Sequence, residues 1–175
     1  MLLLKINDIR QFMNKLLIEN AFDYFLLSEA SISMASTYII DGHINKSFYS
    51  SDELSDLKQE AESNGRIFSE RMRRWEQEKP YCLSIIKGKK TPAAFKFTFC
   101  LSDENIIKFL SSANLSLTPG DIANLSLNIK YDGSMLCATT AVSMNTFTLD
   151  KSIDTSWDKM IKKFFDVNKI GFEEM

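Results

Sequence analysis

Phe95-Lys96-Phe97-Thr98-Phe99-Cys100-Leu101-Ser102 alternates large apolar with polar or small side chains along its whole length. Successive side chains of an extended chain point to opposite faces. The stretch is therefore a strand that turns Phe95, Phe97, Phe99 and Leu101 to a core and Lys96, Thr98 and Cys100 away from it. Leu125, Leu127, Ile129 and Tyr131 repeat the alternation, and Asp132-Gly133 follows at once. An Asp-Gly pair supplies the positive backbone angles of a two-residue hairpin loop. That loop sets Tyr131 against Ser134, Ile129 against Leu136, Leu127 against Ala138 and Leu125 against Thr140. Phe147 and Leu149 continue a third strand.

Upstream, Ile9, Phe12, Met13, Leu16 and Leu17 recur at helical spacing behind Asn7 or Asp8, either of which can cap a helix. From Asp23 to about Phe48 the pattern becomes β-branched and aromatic, with Asp41-Gly42 placed to turn a second hairpin. Residues 51–88 read as helical. Asp52 caps a short helix carrying Leu54, Leu57 and Ala61, and Asn64-Gly65 stops it. Phe68, Met72 and Trp75 mark one face of a second helix, and Pro80 opens a third. The 51–92 segment has the character of an insertion or lid. Asp103 caps a helix facing inward through Ile106, Ile107 and Leu110. The chain closes on a helix with Ile153, Trp157, Met160, Ile161, Phe164 and Phe165 on one side and lysines on the other. The expected fold is a single α+β domain over residues 1–175: an antiparallel sheet with two Asp-Gly hairpins and helices packed mainly on one face.

With 175 residues, 45% apolar and 25% charged, the chain has the make-up of one globular domain. Its 21 basic and 23 acidic residues remove any global pull toward nucleic acid or an anionic membrane. The apolar runs Met1–Leu4 and Tyr24–Leu27 are four residues long, too short for a membrane span or a secretory leader, so a cytoplasmic protein is expected. His43 is the single histidine, and Cys82, Cys100 and Cys137 are odd in number and far apart. Multi-histidine metal sites, disulfide frameworks and thiolate zinc sites lose their ligands on that count, and the thiols suit a reducing compartment. The six glycines are never closer than 13 residues, which leaves no glycine-rich phosphate loop. No cofactor or metal is expected.

Lys5-Ile-Asn-Asp-Ile-Arg-Gln-Phe-Met13, Lys87-Gly-Lys-Lys-Thr-Pro92, Leu115-Ser-Leu-Thr-Pro-Gly-Asp-Ile122 and Phe147-Thr-Leu-Asp-Lys-Ser152 resemble a family of uncharacterised proteins from Gram-positive anaerobic bacteria. The resemblance runs over the whole chain and implies a single bacterial domain of unknown function. It carries no catalytic or binding residues with it.

Each candidate site competes with a plainer account. Asp41 can orient His43 as a general base or join it on a metal, yet one imidazole and one carboxylate are a poor metal set and hairpin shoulders are solvated, so a plain surface histidine is the favoured reading. Lys87, Lys89, Lys90 and Thr91 form a local anion-binding loop, or else complement the negative end of the preceding helix. Arg71, Arg73, Arg74 and Trp75 have the look of a nucleic-acid patch. Glu70 and Glu78, each four residues from Arg74, would neutralise it by helical ion pairs, with Trp75 as a core anchor. The cysteines, among apolar neighbours, read as structural thiols. The sharpest feature is the outward face of the second sheet region: Lys96, Thr98, Cys100, Ser126, Asn128, Lys130, Met135, Cys137, Thr139, Thr146 and Thr148. Only two of these eleven are charged. A face this weakly charged suits contact with a second subunit, a peptide or a nucleic-acid backbone; the plainer account is that these are good strand formers facing water, or that the 51–88 helices cover them.

Three functions follow. The first is a non-enzymatic binding or self-assembly module using Lys96, Thr98, Asn128, Lys130, Thr146 and Thr148, with a second copy or a protein as partner. The second, less favoured, is nucleic-acid or phosphate-ligand binding through Lys87, Lys89, Lys90 and Thr91. The third is an enzyme with a carboxylate site that sequence spacing does not reveal. No membrane partner is expected.

Overall fold

A computed structural model describes residues 1–175. In chain order the elements are β1 (Leu3–Ile6), α1 (Ile9–Leu17), β2 (Phe25–Ser33), β3 (Thr37–Asp41), α2 (Ser51–Ser63), β4 (Arg73–Arg74), α3 (Trp75–Ile86), β5 (Ala94–Leu101), α4 (Asp103–Ser112), β6 (Ile122–Tyr131), β7 (Leu136–Met144), α5 (Ser152–Val167) and β8 (Phe172–Glu174). One antiparallel sheet of eight strands runs β3-β2-β5-β6-β7-β1-β8, with β4 pairing β2 beyond the end of β3. The fold class is α+β.

β5 and β6 lie at the sheet's centre, with Phe97 opposite Ile129 and Phe99 opposite Leu127. Phe97, Phe99, Leu125, Leu127 and Ile129 are fully buried on the inner face. The helices arrive there with one stripe each: Phe12, Leu16 and Leu17 of α1, Trp75 and Cys82 of α3, Ile106, Phe109 and Leu110 of α4, and Ile153, Trp157, Ile161 and Phe165 of α5. All join a single cluster of 32 buried residues. Each buried phenylalanine contributes about 1.5–3 kcal/mol. The Trp75 ring meets Phe97 and Phe99 edge-on at 5.5 and 5.1 Å, and its indole N–H donates to the Leu16 carbonyl at 3.0 Å. The expected anchor role of Trp75 is what the structure shows. α2 stands apart from this layer, since it buries no side chain.

Several local expectations are corrected. The β6–β7 loop is four residues, not two, so Tyr131 pairs with Leu136, Ile129 with Ala138, Leu127 with Thr140 and Leu125 with Val142. Asp132 Oδ1 accepts from the backbone N–H groups of Ser134 and Met135 at 2.9 and 2.8 Å and so closes the wider turn. The shift is two residues, which preserves every side chain's face. The β2–β3 hairpin turns at residues 34–36, not at Asp41-Gly42. Gly42 is required for another reason: a Cβ there would stand 1.9 Å from the Leu27 carbonyl oxygen.

Phe68 and Met72 belong to a non-helical stretch, and α3 begins only at Trp75. Pro80 lies inside α3 and does not open a new helix. Lys79 beside it holds the helix in place, donating to the Glu19 carbonyl at 2.9 Å and to Asp23 at 2.7 Å. α2 is capped by Ser50 with Glu53 in a reciprocal box, and Ser102 holds the N-cap position of α4 without a side-chain capping bond, so Asp52 and Asp103 are first-turn residues instead of caps. On α4 it is Phe109 that turns inward, while Ile107 is exposed.

Residues 146–149 form no strand. Their alternation has the right period, but the chain is drawn off β7 where the Asn145 N–H and side-chain amide donate to the Asp121 and Gly120 carbonyls. Phe147 and Leu149 are left 90% and 83% exposed. The C-terminal strand β8, which carries no long alternation, completes the sheet beside β1.

Candidate functional site

The outer face of the sheet reads as two rows of side chains running across the strands. One row is Ile39, Ser31, Lys96, Lys130, Cys137, Lys5 and Glu173. The next is Asp41, Glu29, Thr98, Asn128, Thr139 and Leu3. The order follows from the register, because residues paired across an antiparallel ladder share a face. Lys96 and Lys130 are exposed and directly opposite one another. Neither has a carboxylate within ion-pair reach, whereas Lys5 has Glu173 at 3.6 Å. Beside them the Thr98 hydroxyl donates to Asn128 Oδ1 at 3.0 Å, which ties the two neutral side chains together within the face.

Four of the six expected contact residues, Lys96, Thr98, Asn128 and Lys130, are therefore brought together. Thr146 and Thr148 are not: they lie in the loop between β7 and α5, where no strand carries them onto the face. The cover from residues 51–88 is partial. Met72 packs with Leu26 over Cys100, which is 3% exposed, and closes one end of the face. The rows of Lys96 and Thr98 stay open.

Sequence reading missed the other charged end of this face. Glu29 and Asp41 pair across β2 and β3, and Ile39 beside them is 69% exposed. Reading the turn at 34–36 would have revealed them, since the turn position sets which residues of 37–41 face outward. Asp41 is committed to His43, whose backbone N–H and ring Nδ1 lie 2.9 and 2.7 Å from Oδ1. The backbone N–H first, then the ring, holds the Asp41 carboxyl below its ordinary range. Glu29 has no ion pair. The carboxylate beside the His43 groove, Glu78, is engaged by Arg73 at 2.6 Å.

The lysine loop begins where Lys87 caps α3 with its N–H on the Leu83 carbonyl. Lys87, Lys89, Lys90 and Thr91 are exposed, and Gly88 adopts φ 147°. The Ala93 N–H donates to Ser33 at 2.9 Å, which ties the loop to the tip of the β2–β3 hairpin, at the end of the sheet that carries Lys96. The arginine patch is neutralised, with Glu78 on Arg73 instead of Arg74 and the remaining partners different from those expected. Arg74 pairs with Glu104 at 2.8 Å, Arg71 with Asp103 at 3.7 Å and Arg66 with Glu76. Glu70 takes Lys46 and Lys58.

Burial pushes the Cys82 thiol up to about 12, with the nearby Glu78 charge adding to it, and burial raises Cys100 as well. Both are poor thiolates, in keeping with structural thiols. A further concave surface lies on the helical side, between α4 and α5, with Lys108, Lys159 and Lys163 around it. The four-residue spacing of Lys159 and Lys163 beside Met160 and Phe164 was its signal in the sequence.

The chain belongs to the family of unknown function DUF5721, whose family model matches residues 15–173. No curated protein and no solved structure matches it.

Proposed function

We propose that this member of a family of unknown function is a non-enzymatic, cytoplasmic bacterial module that assembles with a second copy of itself through the outer face of its sheet. The observation that carries the reading is the distribution of charge on that face. Two unpaired lysines, Lys96 and Lys130, sit opposite each other, an arrangement that destabilises a strand pair in isolation. One row away lie Glu29 and Asp41. A two-fold contact sets the lysines of one copy against the carboxylates of the other, and such an isologous contact closes at the dimer. Thr98 and Asn128, bonded to each other, fill the centre and leave the Asn128 side-chain N–H groups to donate across the contact. The three free thiols support a reducing compartment, and the four sequence stretches quoted above support an origin in Gram-positive anaerobes.

Native mass spectrometry over a concentration series tests this reading. Wild type is expected to self-associate through this face, and Lys96→Glu with Thr98→Glu to weaken that association with an unchanged unfolding transition. A double variant that self-associates like wild type rules the contact out.

A second reading rests on the exposed loop of Lys87, Lys89 and Lys90, which lies at the same end of the sheet as Lys96. It predicts an anion or oligonucleotide adduct on the monomer. Affinity that does not fall with added salt removes it.

A further inference from the structure

The groove between α4 and α5 is open, about 850 Å³ in volume, and floored by Phe109, Met160 and Phe164. Lys108, Lys159 and Lys163 stand on its rim, and no aspartate or glutamate lines it. All three lysines are exposed, and none is ion-paired. Helix dipoles do not account for them, because neither helix carries a basic residue in its last turn. Lys159 and Lys163, four apart on one helix, repel each other by about 0.2–0.5 kcal/mol. An occupant of this groove has to be anionic and partly apolar. From Ser156 to Asn168 the α5 wall is about 18 Å long, a span suited to a helix of three turns.

The chain itself carries such a helix. α2, Ser51-Asp-Glu-Leu-Ser-Asp-Leu-Lys-Gln-Glu-Ala-Glu-Ser63, is 13 residues long, or about 20 Å, and buries no side chain. Asp52, Asp56, Glu60 and Glu62 are exposed and make no ion pair. Phe48, just ahead of the helix, is 79% exposed. Within its own chain α2 is placed against residues 66–77, where Leu57 and Ala61 share a small cavity with Met72 and Arg73.

We propose that α2, with Phe48, docks into the α4–α5 groove of another copy of the chain. Carboxylates of one copy meet Lys108, Lys159 and Lys163 of the next, and Phe48 adds apolar contact over the groove floor. The surfaces differ from the outer sheet face, so this contact goes beyond the dimer proposed above and does not depend on it. The contact proposed is head to tail: each copy gives its helix to one neighbour and its groove to another, so assembly continues past the dimer to a ring or filament.

Sedimentation velocity at low salt tests the contact in wild type and in the Lys96→Glu/Thr98→Glu background. Mass is expected to grow with concentration beyond a dimer in wild type and to grow in the background variant as well. Lys159→Glu with Lys163→Glu should weaken that growth by about tenfold or more, as like charges then face each other. Asp52→Lys with Asp56→Lys should do the same, and the four changes combined should restore growth. All four sites are exposed, so thermal unfolding is expected to stay near wild type. Wild type that never exceeds a dimer overturns the proposal while leaving the sheet-face reading intact. Growth insensitive to the groove variant overturns it too. Growth lost in the groove variant but not in the α2 variant assigns the groove to a different occupant and likewise overturns it.

Discussion

At Gly42 the backbone passes so close to β2 that a methyl group would overlap the Leu27 carbonyl. The site does not need an unusual backbone angle; it needs the missing side chain. Gly42→Ala therefore has to push β3 away from β2, and overpacking of this kind costs about 1–3 kcal/mol or more. A lowered urea midpoint with an unchanged slope is the expected result, and a midpoint equal to wild type would contradict the close approach. The lysines that matter are recognisable the same way, by what they lack. Lys79 is tied to Glu19 and Asp23 and belongs to the architecture, whereas Lys96, Lys130, Lys159 and Lys163 have no partner within the chain.

The β6–β7 hairpin shows how a single carboxylate defines an element. Asp132 accepts from the backbone N–H of Met135, then from the backbone N–H and hydroxyl of Ser134, and these bonds draw its carboxyl down to about 2 from 3.8. A depressed folded-state value means that the stabilisation is complete above the unfolded value. It is lost as pH falls from about 4 toward about 2. Asp132→Asn keeps an oxygen acceptor and removes the titration. The stability gap between wild type and this variant should thus shrink between pH 5 and about pH 2 in urea titrations. A gap constant with pH would show that the charge plays no part. α5 makes the complementary point: its apolar stripe of Ile153, Trp157, Ile161 and Phe165 pays for docking, while its lysines are left for other uses.

Across the whole molecule, a net charge of −2 conceals a separation of charge. Carboxylates gather on α2 and at the β2–β3 edge, and unpaired lysines at the centre of the outer face and around the α4–α5 groove. Both proposed contacts are between opposite charges at the surface, so both should weaken with ionic strength. The Debye length falls from about 10 Å at 0.1 M salt to about 3 Å at 1 M. Sedimentation at the two concentrations is expected to show less association in the higher one, and association that strengthens with salt would point to apolar contact instead.

The central strands, the inner-face residues, α1, α5 and the α+β class were legible in the sequence because each depends on a local period. Side chains two apart on a strand, or three and four apart on a helix, share a face whatever the rest of the chain does. The Asp132-Gly133 turn was legible for the same reason, although its length rested on the Asp132 side-chain bonds. What needed a partner distant in sequence was decided only by the tertiary structure. Thr146 to Leu149 alternate like a strand and have no strand to pair with; Phe172 to Glu174 barely alternate and have β1. The candidate sites fall in the second group. Lys96 and Lys130 were readable as outward residues, but not as a pair without a counter-ion. The lysines of α4 and α5 become a groove only when two helices 40 or more residues apart in the chain are packed side by side. Periodicity reports which way a side chain points, and only the folded chain sets what stands opposite it.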